Sequence, residues 1–315
     1  MRQTDNLPFL PYNSISPLHS SQINITQTDP IFESLLEYLR FRHNFDFTGY
    51  KRSSLIRRFQ ERKRAIAIES YNDYRGYLEV HPEEFTELFN TIEINVSCFF
   101  RDASCWDYVT AEIVPRIIAG KSDSEPIRVW SAGCASGEEA YTLAMVLASV
   151  LGIEQFRERV KIFATDIDSE ALAQARAGRY FSSQVVDIPP SLLNQYFERT
   201  EDCYVFRQDL RRSILWSRHN MIDDAPMSKI DLLVCRNALI YFNIEAQTRV
   251  LARFYFSLLD SGFLFLGRAE GLPTHTNFFT PVCPPQHIFT KVAKSKVNER
   301  LLHKSLLRNP VRSLP

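Results

Sequence analysis

The sequence lacks net charge. Its 37 Lys and Arg balance 37 Asp and Glu, which removes any global attraction to nucleic acid or a membrane surface and leaves local charge to carry that information. It also lacks a long hydrophobic run: the longest apolar-rich stretch, Ala140 to Ile153, is too short to span a bilayer and reads as a buried helix. The opening MRQTDNLPFLPYNS has neither the basic start nor the apolar stretch of a secretory leader. Cysteine pairs are missing as well. The six cysteines (98, 105, 134, 203, 235 and 283) form no CxxC, which argues against a zinc site or a disulfide framework and fits reduced thiols. There is no HExxH, no GxGxxG and no internal repeat. These absences lead to the expectation of a cytoplasmic protein without metal and without membrane insertion. Hydrophobic content of 45% with 23% charged residues is ordinary for a globular chain, so disorder is not the default.

Along the chain the texture changes three times. Residues 1–29 are rich in Ser, Thr, Asn, Gln and Pro without helical period and read as a flexible tail. Asp29-Pro30 is a cap and first-turn pair. From residue 30 to 106 the apolar spacing is helical: Ile31, Leu35, Leu36 and Leu39, then Leu55, Ile56, Phe59 and Ile66, then Phe85, Leu88, Phe89 and Ile92. Residues 107–292 alternate strand and helix. Ile127–Trp130, Val160–Ala164, Ile230–Cys235, Gly262–Gly267 and His287–Val292 read as strands, with helices between them. That alternation implies a doubly wound, mostly parallel sheet with helices on both faces. Residues 181–216 break the rhythm, and Tyr204–Phe206 and Ser213–Trp216 are expected to pair as a small antiparallel insertion. Residues 293–315, with Lys294, Lys296, Arg300, Lys304, Arg308 and Arg312, read as a basic tail.

An open parallel sheet binds its ligand beyond the carboxyl ends of its strands. The first such end offers Gly133-x-x-x-Gly137, where missing side chains let backbone approach a ligand. Glu138 and Glu139 follow at once. Two carboxylates would repel a phosphate, so a ligand with a positive group, such as the amine and sulfonium of S-adenosylmethionine, suits the turn better. The second strand leads to Asp166, where an acid accepts from ribose hydroxyls. The spacing from Gly137 to Asp166 is longer than in the NAD fingerprint, which disfavours NAD. Taken singly, the glycine turn can be only a turn and Asp166 only the cap of the next helix; their order along the chain is the more specific signal.

Five segments then match one family in order. Asn95-Val-Ser-Cys-Phe-Phe-Arg101-Asp102, Val129-Trp-Ser-Ala-Gly-Cys-Ala-Ser-Gly-Glu-Glu-Ala-Tyr141, Ala164-Thr-Asp-Ile-Asp168, Cys235-Arg-Asn-Ala-Leu-Ile-Tyr-Phe242, and Leu264–Gly267 followed by Glu270 resemble the chemotaxis receptor methyltransferases, the CheR family. The resemblance covers residues 31 to 292. It implies an α/β fold with a doubly wound, mostly parallel Rossmann-like methyltransferase sheet, a small antiparallel β insertion and an all-α N-terminal domain. It implies S-adenosylmethionine as cofactor and S-adenosylhomocysteine as product. Residue by residue, Asn95, Ser97 and Arg101 match the segment over the cofactor. Glu139 matches a cofactor-contacting acid, and Asp166 the acid after the second strand. Asn220 and Met221 match a pair near the adenine. Arg236, Asn237 and Tyr241 match the Arg-Asn and Tyr of the fourth motif, with Tyr241 facing the methyl-transfer site. The implied reaction is esterification of glutamate side chains on the cytoplasmic helices of a methyl-accepting chemoreceptor. A glutamate carboxylate, with a pKa of about 4.3, is already ionised at neutral pH and needs no general base. Arg101 and Tyr241 are the residues expected to orient it.

Between Lys51 and Arg64 lie Arg52, Arg57, Arg58, Arg62 and Lys63 against a single Glu61. Such runs are usually solvated helix faces. In a chain of zero net charge this one is a candidate docking surface for an acidic helix, as in the resembling family; nucleic acid is disfavoured because no aromatic interleaving accompanies it. Departures from the family pattern are Ala140 after the Glu pair, Ser97-Cys98, Arg268-Ala269, and a Glu198–Tyr204 loop without glycine. The last argues against tethering to a receptor's C-terminal pentapeptide and for direct recognition of the substrate helix. A monomer is expected. A small-molecule O-methyltransferase and a non-catalytic, cofactor-binding regulator are the alternatives.

Overall fold

Asp29 and Pro30 begin the first helix, α1 (Pro30–His43), with the Asp29 carboxylate accepting from the Ile31 N–H at 2.9 Å and proline where a missing N–H costs nothing. The computed structural model describes residues 29–93, 97–273 and 276–297. Asn95 and nearly all of both expected tails lie outside the described residues.

Helices α2 (Arg52–Ala65), α3 (Tyr71–Val80) and α4 (Glu84–Ile92) follow. Leu35, Leu36, Leu39, Leu55, Phe59, Leu88 and Ile92 are all buried, so the helical spacing marks one packed face on each helix. This face is continuous with the sheet: its apolar cluster runs on into Trp130, Leu233, Phe254 and Leu264. The next helices, α5 (Ala103–Tyr108) and α6 (Val114–Ala119), belong elsewhere. Cys105 and Trp106 join the cluster on the opposite face of the sheet, with Trp106 edge-on to Phe265 at 5.3 Å. The break in packing therefore falls between α4 and α5, earlier than residue 106. Helical periodicity runs through that point, and only packing partners reveal it.

Strand β1 (Ile127–Ala132) leads into α7 (Glu138–Leu151) and α8 (Ile153–Arg159), then β2 (Val160–Asp166) and α9 (Ser169–Ala177). Every residue of α7 from Ala140 to Ala148 is buried, which accounts for the long apolar run without any membrane. No helix among the described residues is long and apolar enough to cross one. An insertion follows: β3 (Arg179–Tyr180), α10 (Pro190–Tyr196), β4 (Phe197–Arg199), β5 (Tyr204–Phe206) and α11 (Gln208–Arg211). The chain then forms β6 (Ile214–Arg218), β7 (Ile230–Cys235), α12 (Ile244–Ser257), β8 (Leu258–Leu266), β9 (Phe279–Cys283) and β10 (Ile288–Lys291).

The main sheet has seven strands in the order β6-β2-β1-β7-β8-β10-β9. The first five are parallel, and β10 and β9 turn back antiparallel. Two expectations fail here. Ile214–Trp216 does not pair with Tyr204–Phe206; it pairs parallel to β2, Ile162 opposite Ile214 through Asp166 opposite Arg218. The small sheet is β3-β5-β4 instead, so the insertion spans residues 179–206 rather than 181–216. An edge strand is covered on one side only, and β6 is too exposed to show the apolar run of an interior parallel strand. Strand β9 holds Pro281, which an edge strand tolerates and which masks its strand pattern in the sequence.

Candidate active site

The cleft lies where the parallel strands end, and five stretches of chain build it. The first is the turn after β1. The N–H groups of Gly133 and Cys134 donate to the Thr165 carbonyl at 2.8 and 3.0 Å, and the Ala135 N–H donates to the Asp166 carboxylate at 2.8 Å. Ala135 is left-handed at φ 45° and Gly137 at φ 97°. A Cβ on Gly137 would lie 2.9 Å from the Ala175 methyl, so the turn needs glycine for space and conformation alike. Asp166 also accepts from the Asp168 N–H at 2.9 Å. The helix cap is Asp168, whose carboxylate accepts from Glu170 and Ala171; the alternative reading of Asp166 as that cap is set aside.

The second stretch is residues 97–102. Phe99 is fully buried against Tyr180 and Phe197 of the insertion, and the Phe100 N–H donates to the Thr142 hydroxyl at 3.2 Å. Phe100 and Asp102 are both left-handed, at φ 49° and 58°. Strain of this kind persists only where the surroundings fix it. Here Arg236 fixes it, donating to the Arg101 carbonyl at 2.9 Å and to the Asp102 carboxylate, with its guanidinium 4.8 Å from the Phe265 ring. Arg236 thus lines the cleft while its charge is spent on holding the Arg101 segment.

The third stretch follows β7. Glu270 accepts from the N–H groups of Asn237, Leu239 and Gly267 at 2.9, 2.7 and 2.7 Å, locking the loop that presents Asn237 and Tyr241. A Cβ on Gly267 would come within 2.9 Å of the Asn237 nitrogen. Asn237 is left-handed at φ 63°, and its buried Oδ1 has no partner among the described residues. The fourth stretch, after β6, is anchored by the His219 N–H on the Asp166 carbonyl at 2.8 Å. The Asn220 amide folds its own turn, accepting from Ile222 and donating to Asp223. The fifth comes from the helical unit: Tyr50 and Glu93 reach the cleft, and the Lys51 N–H donates to the Tyr241 carbonyl at 2.9 Å.

Ser97, Arg101, Glu139, Asp166, Asn220, Met221, Arg236, Asn237 and Tyr241 all line this one cleft. The catalytic and cofactor-binding residues expected from the sequence, Asn95 aside, are therefore brought together in one cleft. Tyr50, Glu93, Trp106 and His219 line it too and were not expected; no local motif marks them. Glu270, which stands behind the loop, was visible only as part of a motif without a role.

The electrostatics are those of a site for hydrogen-bond donors and positive charge. Burial pushes Glu139 up to about 7 against the opposing effect of Arg236 and its bond from Ser131. Burial also raises Asp166, although the N–H groups of Asp168 and Ala135 pull it back. Glu93 is pushed up to about 7, again chiefly by burial. Desolvated carboxylates of this kind gain most from a ligand that returns donors or a cation. The orphaned Asn237 Oδ1 asks for a donor as well. A nucleoside joined through a cationic sulfur to a free amino acid fits that set.

The basic helix is more divided than the sequence suggests. Arg52 is held by Glu33, at 2.6 and 3.0 Å, and by the Phe47 carbonyl. Arg62 makes a bidentate pair with buried Glu84, both bonds 2.7 Å. Lys63 is buried, donating to the Glu69 carbonyl and lying 3.9 Å from the Tyr71 ring centroid. These three hold the helical unit together and are corrected out of the docking surface. Arg57 is exposed, and Arg58 is partly exposed with Glu61 at 2.6 Å. The Lys51 N–H, at the cap of the same helix, bonds the Tyr241 carbonyl, so the start of α2 stands beside the cleft.

A doubly wound sheet whose strand ends hold an acidic nucleoside cleft defines the class. Residues 95–288 match the family described as CheR methyltransferase, SAM binding domain, and residues 30–92 match the CheR methyltransferase all-alpha domain. The chain belongs to the CheR methyltransferase family, and S-adenosylmethionine is the cofactor of its α/β domain. Among its relatives, a chemotaxis protein methyltransferase of Listeria innocua is 33% identical over 245 residues, covering 74% of this chain and 90% of the relative. That of Escherichia coli is 29% identical over 283 residues, covering 86% and 94%. A Rhodobacter capsulatus protein of 104.1 kDa, described as uncharacterized, is 34% identical over 241 residues. Those residues cover 76% of this chain and only 25% of that protein.

Proposed function

We propose that this chain transfers a methyl group from S-adenosylmethionine to glutamate side-chain carboxylates of a methyl-accepting chemoreceptor or a related helical sensor, giving glutamate methyl esters and S-adenosylhomocysteine. One observation carries the reading: Tyr241 lines the acidic cofactor cleft, and its carbonyl accepts from Lys51 at the cap of α2, the helix that bears Arg57 and Arg58. A glutamate on an acidic helix drawn to those residues would arrive at the cleft. The names of the Listeria and Escherichia relatives point the same way.

When bound, the cofactor supplies an electrophilic methyl on a cationic sulfur. The protein's own share is positioning. Glu139 would hold the amino group, Asp166 would accept from ribose hydroxyls, and Asn237 would accept through its orphaned oxygen. Ser97, Asn220 and Met221 would frame the same ligand. Arg101 and Tyr241 would orient the incoming carboxylate, which arrives ionised and needs no base. Arg101 must position it without pairing so tightly that nucleophilicity is lost. Alignment and water exclusion can supply about 7–11 kcal/mol of a barrier in well-oriented systems, which makes a catalytic triad unnecessary. In Tyr241→Phe, turnover on receptor helices should fall by about tenfold or more while S-adenosylhomocysteine affinity, read by calorimetry, stays at the wild-type value. Full turnover in this variant would remove Tyr241 from the transfer site.

A further inference from the structure

The cleft wall near the end of β2 carries a carboxylate from the helical unit. Glu93 is the C-cap residue of α4, at the end of that unit. Its Oε1 accepts from the Tyr50 hydroxyl at 2.6 Å; Tyr50 is 5% exposed and stands edge-on to Phe242 at 5.2 Å. Both line the cleft beside Asp166 and His219. A carboxylate has about four lone-pair sites, and the Tyr50 hydroxyl fills one. Asp166 and Asp168 act on Glu93 with charge of its own sign. A group that merely tied two units together would gain nothing from facing a cleft that already holds Asp166. A group that receives donors from a ligand would.

His219 stands in the same stretch of wall. Its Nε2 lies 3.0 Å from the Ala225 carbonyl. A carbonyl only accepts, so Nε2 is the donor in this bond. His219 is only 7% exposed, and Nδ1 has no partner among the described residues. This end of the cleft therefore gathers two carboxylates, those of Glu93 and Asp166, with His219 in its wall. Adenosine presents the complementary set, two ribose hydroxyls and an exocyclic amine.

We propose that Glu93, positioned by Tyr50, binds the adenosine donors of the cofactor, so that the helical unit completes the cofactor site as well as presenting substrate. The inference rests on the S-adenosylmethionine reading and deepens it.

Calorimetric titration of the whole chain with two probes tests this: S-adenosylhomocysteine, and 5′-methylthioadenosine, which keeps the adenosine and lacks the amino-acid end. Glu93→Gln should weaken both by about tenfold, the scale of a lost charge-assisted hydrogen bond, and Tyr50→Phe should weaken both by less. Glu139→Gln should weaken S-adenosylhomocysteine alone. Should Glu93→Gln not fold, Glu93→Asp, which keeps the charge but withdraws it, should show the same parallel loss. A purely structural tie would lower the Tm of Glu93→Gln and leave both affinities of the folded protein unchanged; that result overturns the proposal. Failure of the wild-type chain to bind S-adenosylhomocysteine would instead overturn the reading beneath it.

Discussion

Glu139 shows how much one residue can disclose. Its position after a glycine turn at a strand end made it a ligand candidate from the sequence alone, and its surroundings give that position a consequence in pH. With burial pushing its carboxyl up to about 7, the folded protein holds a proton that the unfolded chain releases near pH 4.5. The folded state binds more protons in that interval, so this group's contribution to stability is present below about pH 4.5 and is lost as pH rises to about 7. Glu93, also near 7, acts with the same sign. An ammonium beside Glu139 favours the ionised form, so affinity for S-adenosylhomocysteine should rise from pH 6 to 8. Glu139→Gln should flatten that rise, as read by calorimetry at the two pH values; an unchanged slope would place the amino group elsewhere. Asp166 was legible for the same reason as Glu139. Tyr50, Glu93, His219 and Glu270 were not, since each meets partners more than 30 positions away in sequence, Glu93 for Tyr50, Asp166 for His219 and Asn237 for Glu270, and no local spacing marks such a meeting.

At the scale of elements, α2 holds the helical unit together through Arg52, Arg62 and Lys63 and is proposed to dock substrate through Arg57 and Arg58. The sequence displays seven basic residues between Lys51 and Arg64 but not which of them are already engaged. Buried Glu84, bonded to Arg62 and to the Tyr74 hydroxyl at 2.7 Å, settles that for one end. Glu84→Ala leaves a partly buried guanidinium and a buried hydroxyl without their acceptor. It should cost about 3 kcal/mol, the lower end for a broken buried pair, seen as a lower Tm, with cofactor affinity kept. Arg57→Glu with Arg58→Glu touches neither of those partners. It should raise the KM for receptor helices and spare both Tm and S-adenosylhomocysteine affinity; an unchanged KM would contradict docking on this face. Strands show the same boundary of legibility. Interior β1, β2 and β7 announce themselves as apolar runs, whereas β6 and β9 are edges, one half-exposed and one holding a proline. Their sheet membership is decided by partners distant in sequence.

Across the whole molecule, the helical unit and the α/β domain share one apolar cluster and one cleft. The sequence distinguishes them by texture, helical spacing giving way to strand and helix alternation, and places the break at 106. Packing moves it ahead of α5 because Trp106 is bound to the sheet through Phe265. The joint is also where the chemistry falls. Residues 97–102 cross from one unit to the other, strained at Phe100 and Asp102 and clamped by Arg236, and they carry Ser97 and Arg101 into the cleft. The proposed docking face of α2 and the strand ends that form the cofactor cleft thereby meet at Tyr241, through the Lys51 N–H on its carbonyl.

The most direct test of the account is to incubate the chain with methyl-labelled S-adenosylmethionine and a glutamate-bearing chemoreceptor helix fragment, then treat the product with mild alkali. The account predicts label on glutamate side chains, released by alkali as expected of a methyl ester, and a strong loss of label with Arg101→Ala. Alkali-stable label, or no transfer by a protein that binds S-adenosylhomocysteine normally, would contradict it.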